Sequence, residues 1–187
     1  MYRILSASKD TYITNKIINK SFRATDSNVG QAGTLDLFKL YNENTLTGSS
    51  EQTELTRLLL QFDLGKVSQM QDEGKIDIND STFKCFVTLH DVYGGQVTPS
   101  NFDAILFPLS QSFDEGSGYD VSGFRDIGAV NYVTASFVSG SPVLWNIPGA
   151  MASGSLGDEL IDVIVSGSLS GPSGTSSQSL SPVQRFI

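Results

Sequence analysis

The strongest constraint on this chain is a period of two. Phe83, Cys85, Val87 and Leu89 alternate with Lys84, Phe86, Thr88 and His90, the spacing that lines one face of an extended strand with apolar groups. The period recurs in residues 34–41, where Leu35, Leu37 and Lys39 alternate with Asp36, Phe38 and Leu40. Residues 10–14 form a short run of β-branched and aromatic side chains. Residues 57–64 are apolar on both faces. Leu55, Leu58, Leu59 and Phe62 would also share a helical stripe, but the run reads as a central strand. Further strands are expected within residues 102–109, 143–146 and 160–165. Residues 66–74 break the pattern, with good helix formers ending at Gly74, and predict one short helix.

Turn formers separate these runs. Residues 21–33 contain Asp26, Ser27, Asn28, Gly30 and Gly33 and predict an ordered loop. Residues 42–52 read as a polar, hairpin-like insertion. Residues 112–128 form a long Gly- and Asp-rich loop interleaved with Phe113, Tyr119 and Phe124; a loop of that length packs on itself or carries function. Together these features predict an all-β chain, an antiparallel jelly-roll-like β-sandwich with one short helix and long loops. With 187 residues there is enough chain for one well-buried domain. We expect that domain at residues 1–165, with a Ser/Gly-rich linker and C-terminal extension at 166–187.

Charge limits the partners. Twelve Lys and Arg against 20 Asp and Glu leave a net charge of −8, a field that repels nucleic-acid backbones and anionic membranes. The single Cys85 cannot form an internal disulfide and sits on the apolar row, where it predicts a small buried hydrophobe. His90, the one histidine, falls on the opposite row as a half-exposed strand residue, and the pair offers no zinc cluster. The first residues lack the apolar core of a secretion signal, and no stretch is apolar for long enough to span a bilayer. The expectation is a protein made and kept in a cytoplasm, or released by lysis.

Asp114, Glu115 and Asp120 place hard oxygens on a Gly-containing loop. Two readings follow: a calcium site, or carboxylates that brace the loop by accepting backbone N–H groups, which is the commoner use. A glycosidase acid–base pair is disfavoured, because adjacent side chains diverge and no second acidic cluster stands opposite them. Tyr12, Tyr93, Tyr119 and Tyr132 are candidates for stacking on sugars, with the plainer role of covering sheet edges. Arg57, opening an apolar strand, needs hydrogen-bond partners. Val183, Phe186 and Ile187 regain apolar character at the chain end and predict an added strand that docks on an open sheet edge or a neighbouring subunit. No catalytic residue is assigned, and calcium is the one cofactor in play.

Several of these segments occur in a familiar order. Ser8-Lys9-Asp10-Thr11-Tyr12-Ile13, Ser27-Asn28-Val29-Gly30, Leu35, the strand from Arg57 to Leu64, Phe113-Asp114-Glu115-Gly116-Ser117-Gly118 and Trp145 together resemble the DNRLRE family of β-sandwich modules. The resemblance extends to about Val165. It implies a jelly-roll sandwich of a kind found in secreted carbohydrate-binding modules and in structural proteins of tailed phages. It also implies that Asp10, Asn28, Leu35, Arg57 and Asp63 are structural, knitting loops to strands. The family's closing strands have no counterpart after the Ser/Gly-rich stretch, so either the chain is a fragment or a partner supplies them. The leading expectation is a non-enzymatic virion protein of a tailed bacteriophage, in the tail, neck or baseplate or decorating the capsid. It would be assembled in the host cytoplasm with other virion proteins and copies of itself. The alternative is a carbohydrate-binding module that attaches a fibre or enzyme to a polysaccharide.

Overall fold

The computed structural model describes residues 2–44, 49–90, 92, 102–125, 128–166, 176–180 and 183–186. The chain is all-β, with 35% of residues in strands and one short helix among the described residues. In chain order the elements are β1 (Ala7–Thr14), β2 (Ile17–Ile18), β3 (Phe22–Arg23), β4 (Lys39–Asn44), β5 (Ser49–Phe62), α1 (Gly65–Asp72), β6 (Val87–His90) and β7 (Phe102–Leu106). There follow β8 (Thr134–Val138), β9 (Ser141–Leu144), β10 (Ser153–Ser155), β11 (Val163–Ser166), β12 (Ser176–Leu180) and β13 (Val183–Phe186). They divide between two compact units, Met1–Asp63 with Gln111–Ala152, and Leu64–Ser110 with Ser153–Ile187.

The first unit is organised by the sheet β1-β5-β4, in which β5 is central. The central strand expected from a run apolar on both faces is therefore found with β1 on one edge and β4 on the other. β1 runs antiparallel to it, with Thr11 opposite Leu59 and Ile13 opposite Arg57. β4 and β5 pair as an antiparallel hairpin, where the polar insertion was expected. The ordinary two-faced strand pattern fails in β1: Thr11, Tyr12, Ile13 and Thr14 are all buried. Phe113, Val29, Val130, Ala135 and Trp145 complete the buried interior, and the Trp145 indole N–H donates to the Asn131 carbonyl at 3.0 Å. The short pairs β2–β3 and β8–β9 belong to the same unit.

Among the described residues, the second unit contains α1 and three two-stranded pairs: β6 with β13, β7 with β12, and the parallel pair β10–β11. α1 overlaps the expected helix, starting one residue earlier and ending at Asp72, and Gly74 takes the left-handed φ of +66° that a helix-terminating glycine adopts. Among the described side chains of this unit, those of β12 and β13 not included, Asp162 and Val163 alone are buried. The alternating run at 83–90 is therefore a strand only from Val87. Cys85, expected to be buried, is exposed, as is Phe86 beside it, whereas Phe83, Val87 and Leu89 on the apolar row are half-buried. His90 is exposed rather than half-exposed. Residues 166–181, expected as linker, contribute β12, and the chain end forms β13 antiparallel to β6, with Val183 opposite His90 and Phe186 opposite Val87. Two other strand expectations start late: β4 begins at Lys39 rather than 34, and β11 at Val163, after Leu160 with a φ of +57°. Among the described residues no helix is long and apolar enough to cross a membrane.

Candidate functional site

Two segments far apart in sequence, the loop after β3 and the long loop before β8, are joined through one side chain. Asn28 is buried, and its amide uses every polar atom. The Nδ2 group donates to the carbonyls of Glu115 (2.9 Å) and Val130 (2.8 Å). The Oδ1 atom accepts the backbone N–H groups of Gly30 (3.3 Å) and Gly118 (2.8 Å). An amide carries two donors and an acceptor with two lone pairs, so the residue is fully satisfied. The approach is close enough to exclude side chains on both neighbours: a Cβ on Gly118 would stand 1.8 Å from the Asn28 carbonyl oxygen, and one on Gly30 2.0 Å from that of Glu115. The turn residues of both loops are thus explained by one crowded crossing.

The carboxylates singled out in the sequence brace the same crossing. Asp114 Oδ2 accepts the Phe137 N–H at 2.7 Å, and Glu115 Oε1 accepts the Asp10 N–H of β1 at 2.7 Å. Lys9, next to Asp10, donates to the Phe113 carbonyl at 2.8 Å. Asp120 Oδ1 accepts from the Ser122 N–H, the Ser122 hydroxyl and the Gly123 N–H, closing a tight turn. Those donors, led by the Gly123 N–H, hold the Asp120 carboxyl below its ordinary pKa. The three carboxylates diverge, and among the described residues no group of three or more His, Cys, Asp or Glu is placed to hold a metal ion.

Of the residues carried over from the family resemblance, Asn28 forms the crossing, Asp10 meets it through its backbone N–H, and Arg57 braces a separate bend of the first unit. Arg57 is half-buried and donates to the Ala150 carbonyl at 2.5 Å. Ala150 and Gly149 both have left-handed backbone, at φ of +55° and +85°, so the guanidinium holds a bend that an alanine adopts only at some cost. Leu35 is half-buried in the segment ahead of β4, and Asp63 is exposed just past β5; neither reaches the Asn28 crossing. Val183 and Phe186 lie in β13, while Ile187 and Tyr93 fall outside the described residues.

Two tyrosines expected at the surface are in the core. Tyr12 and Tyr132 are buried, because β1 is covered on both faces and Tyr132 is packed against Gly149, where a Cβ would stand 2.7 Å from the ring. Burial, with the Asp36 carboxylate beside its hydroxyl, pushes the Tyr12 phenol far above its usual range. Burial likewise raises Tyr132, against the opposing pull of Arg57 and Arg23.

Tyr119 is different, at 58% exposed. It stands at one end of the Asp120 turn with Phe124 at the other, the ring centroids 5.3 Å apart and the planes at 72°. Next in the chain, Arg125 lies over the Phe22 ring at 5.0 Å and pairs with Asp26 at 2.8 Å. Phe22 and Arg125 were not singled out in the sequence. A contact between positions 99 residues apart, as in Arg125 and Asp26, leaves no local periodicity to find. Compared with family models, with curated proteins and with solved structures, the chain matches none.

Proposed function

We propose that this chain is a non-enzymatic structural protein of a tailed-bacteriophage virion, acting through protein–protein assembly in the tail, neck or baseplate or as a capsid decoration. The observation that carries the reading is the state of the second unit. Its strands stand in two-stranded pairs, which are marginal in water without a covering layer. Among its described side chains, those of β12 and β13 not included, Asp162 and Val163 alone are buried, while Phe86, Ile105, Leu106 and Leu160 are exposed. An apolar surface of this kind marks an interaction face. Other virion proteins and copies of the chain itself supply the cover, and a jelly-roll-like sandwich is the architecture we assign to the completed domain. The order of motifs shared with phage β-sandwich modules, from Asp10 through Asn28 and Arg57 to Trp145, supports the setting. Repetition around a symmetry axis turns one modest interface into stable attachment.

The test is mass spectrometry of purified, tail-complete particles from the phage that carries the gene, followed by labelling of the chain in electron micrographs. The expected result is a fixed number of copies per particle at a single location. Presence in the soluble lysate with none in the particles overturns the proposal. Deletion of residues 183–187 is expected to reduce incorporation more than it lowers the melting temperature of the isolated chain.

A further inference from the structure

We propose that the surface built by the β8–β9 hairpin and the bend that follows it, residues 133–151, is a self-association face that meets the same face of a second copy of this chain. Charge is unevenly spread along the sequence. Residues 127–157 contain no Asp, Glu, Lys, Arg or His, in a chain whose 17% charged share would place about five charged side chains there. Such a run needs no explanation when it is buried, but this one reaches the surface. Val133, Val138, Leu144, Ile147 and Met151 are all exposed, Val138 at 62% and Leu144 at 54%. Exposed apolar groups on a surface stripped of charge are the composition of an interface core.

The backbone gathers these residues and holds them in place. The Trp145 N–H donates to the Val133 carbonyl at 3.0 Å, and Leu144 stands opposite Thr134. The Met151 N–H donates to the Ile147 carbonyl at 3.2 Å, and the Gly149 N–H donates to the carbonyl of Tyr132, next to Val133. At the root of the hairpin, Asn131 Oδ1 accepts the N–H groups of Val133 and Thr134, each at 2.7 Å. At its tip, Ser139 and Gly140 take the left-handed φ of +52° and +81° that a two-residue hairpin turn requires. The surface is therefore set before a partner arrives, which lowers the ordering cost of association. It does not invite an added strand. Asp114 occupies the outer edge of β8, giving its N–H to the Ala135 carbonyl and accepting the Phe137 N–H, and β9 carries Pro142, which has no N–H to donate. Contact is made through side chains.

Charge also names the occupant. Two copies carrying −8 each repel one another, and the repulsion is least where neither brings a charge to the contact. A two-fold contact sets a surface against itself, so every charged group in it faces its own kind nearby. Residues 133–151 satisfy that geometry with no charge to match, whereas a cationic or anionic partner finds no counter-charge among them. The face lies wholly in the first unit and is separate from the second-unit strands of the assembly reading above.

The experiment is sedimentation velocity on the full chain over a range from about 5 to about 500 μM, repeated with neutral phosphatidylcholine vesicles. The average mass is expected to rise with concentration from one chain towards two, with no pelleting on the vesicles. Val138→Glu and Leu144→Glu each carry a carboxylate into the contact and are expected to weaken the dimer by about tenfold or more. Ile4→Glu adds the same charge at a position of the first unit that is 73% exposed and is expected to leave the dimer unchanged. Trp145 fluorescence melts verify that each variant is folded. Val138→Glu, at the exposed end of β8 beside the turn, keeps the test decisive should Leu144→Glu perturb the hairpin. Four results overturn the proposal: a monomer at the highest concentration, a dimer indifferent to both hairpin variants, a dimer weakened equally by Ile4→Glu, or a monomer that pellets with the vesicles, which would make the surface a lipid-binding face. Each leaves the particle-incorporation result untouched, and absence from particles leaves the dimer standing.

Discussion

Replacing Asn28 by alanine removes four hydrogen bonds at once and leaves their partners in place. Three of the four lie in buried surroundings, those to Val130, Gly30 and Gly118, and the fourth, to Glu115, is partly buried. A buried neutral hydrogen bond is worth about 1 kcal/mol net, and a buried group left unpaired costs about 1–3 kcal/mol. The close glycine approaches to Asn28 and Glu115 leave little room for water to enter and replace the lost amide. A loss of about 3–5 kcal/mol follows, a large share of the roughly 5–15 kcal/mol that holds a typical domain together. The assay is urea unfolding followed by fluorescence of Trp145, the one tryptophan, which is buried in the same unit. Asn28→Asp is the sharper variant, because it keeps size and shape but turns a carboxylate oxygen towards the Glu115 and Val130 carbonyls. It is expected to be at least as damaging as alanine at neutral pH. The deficit should narrow as pH falls, since protonation returns one donor to the site. A loss below about 1 kcal/mol for Asn28→Ala, or an Asn28→Asp variant as stable as the parent, would refute the crossing as a source of stability.

Three further substitutions probe the first unit. Thr11 Oγ1 is buried with no hydrogen-bond partner, so Thr11→Val should raise stability by about 1–2 kcal/mol in the same urea assay, and a loss would show that the hydroxyl has a role. Arg57→Ala should cost about 1–3 kcal/mol by leaving the Ala150 carbonyl without its donor; an effect within about 0.5 kcal/mol, typical of a surface change, would contradict that. Tyr12 has a raised pKa in the folded chain, caused first by burial and then by Asp36. Stability from the neutral phenol is therefore complete below the ordinary value near 10 and is lost as pH rises above it. Tyr12→Phe should flatten the fall in urea midpoint on the alkaline side, and an unchanged alkaline slope would argue that the ring is solvated.

The sequence alone determined the elements whose signal is local. The all-β class follows from the period-two runs, the central place of β5 from apolar groups on both faces, and α1 from a short stretch of helix formers closed by Gly74. Carboxylates set among glycines brace turns because Asx geometry needs only the next two or three residues, as Asp120 shows. Burial was legible only where one face meets one core. Tyr12 and Tyr132 are in the interior and Cys85 is outside, since burial depends on what the rest of the chain lays over a strand, and periodicity records only which side a residue faces. The same limit hid the assembly of the site. Asn28 was readable as a turn former, but its bonds to Glu115 and Val130 cross 87 and 102 residues. Phe22 and Asp26 meet Arg125 through the same crossing. Contacts of that span are fixed by chain topology and by the demand that every buried polar group find a partner, and only the folded structure brings those partners together.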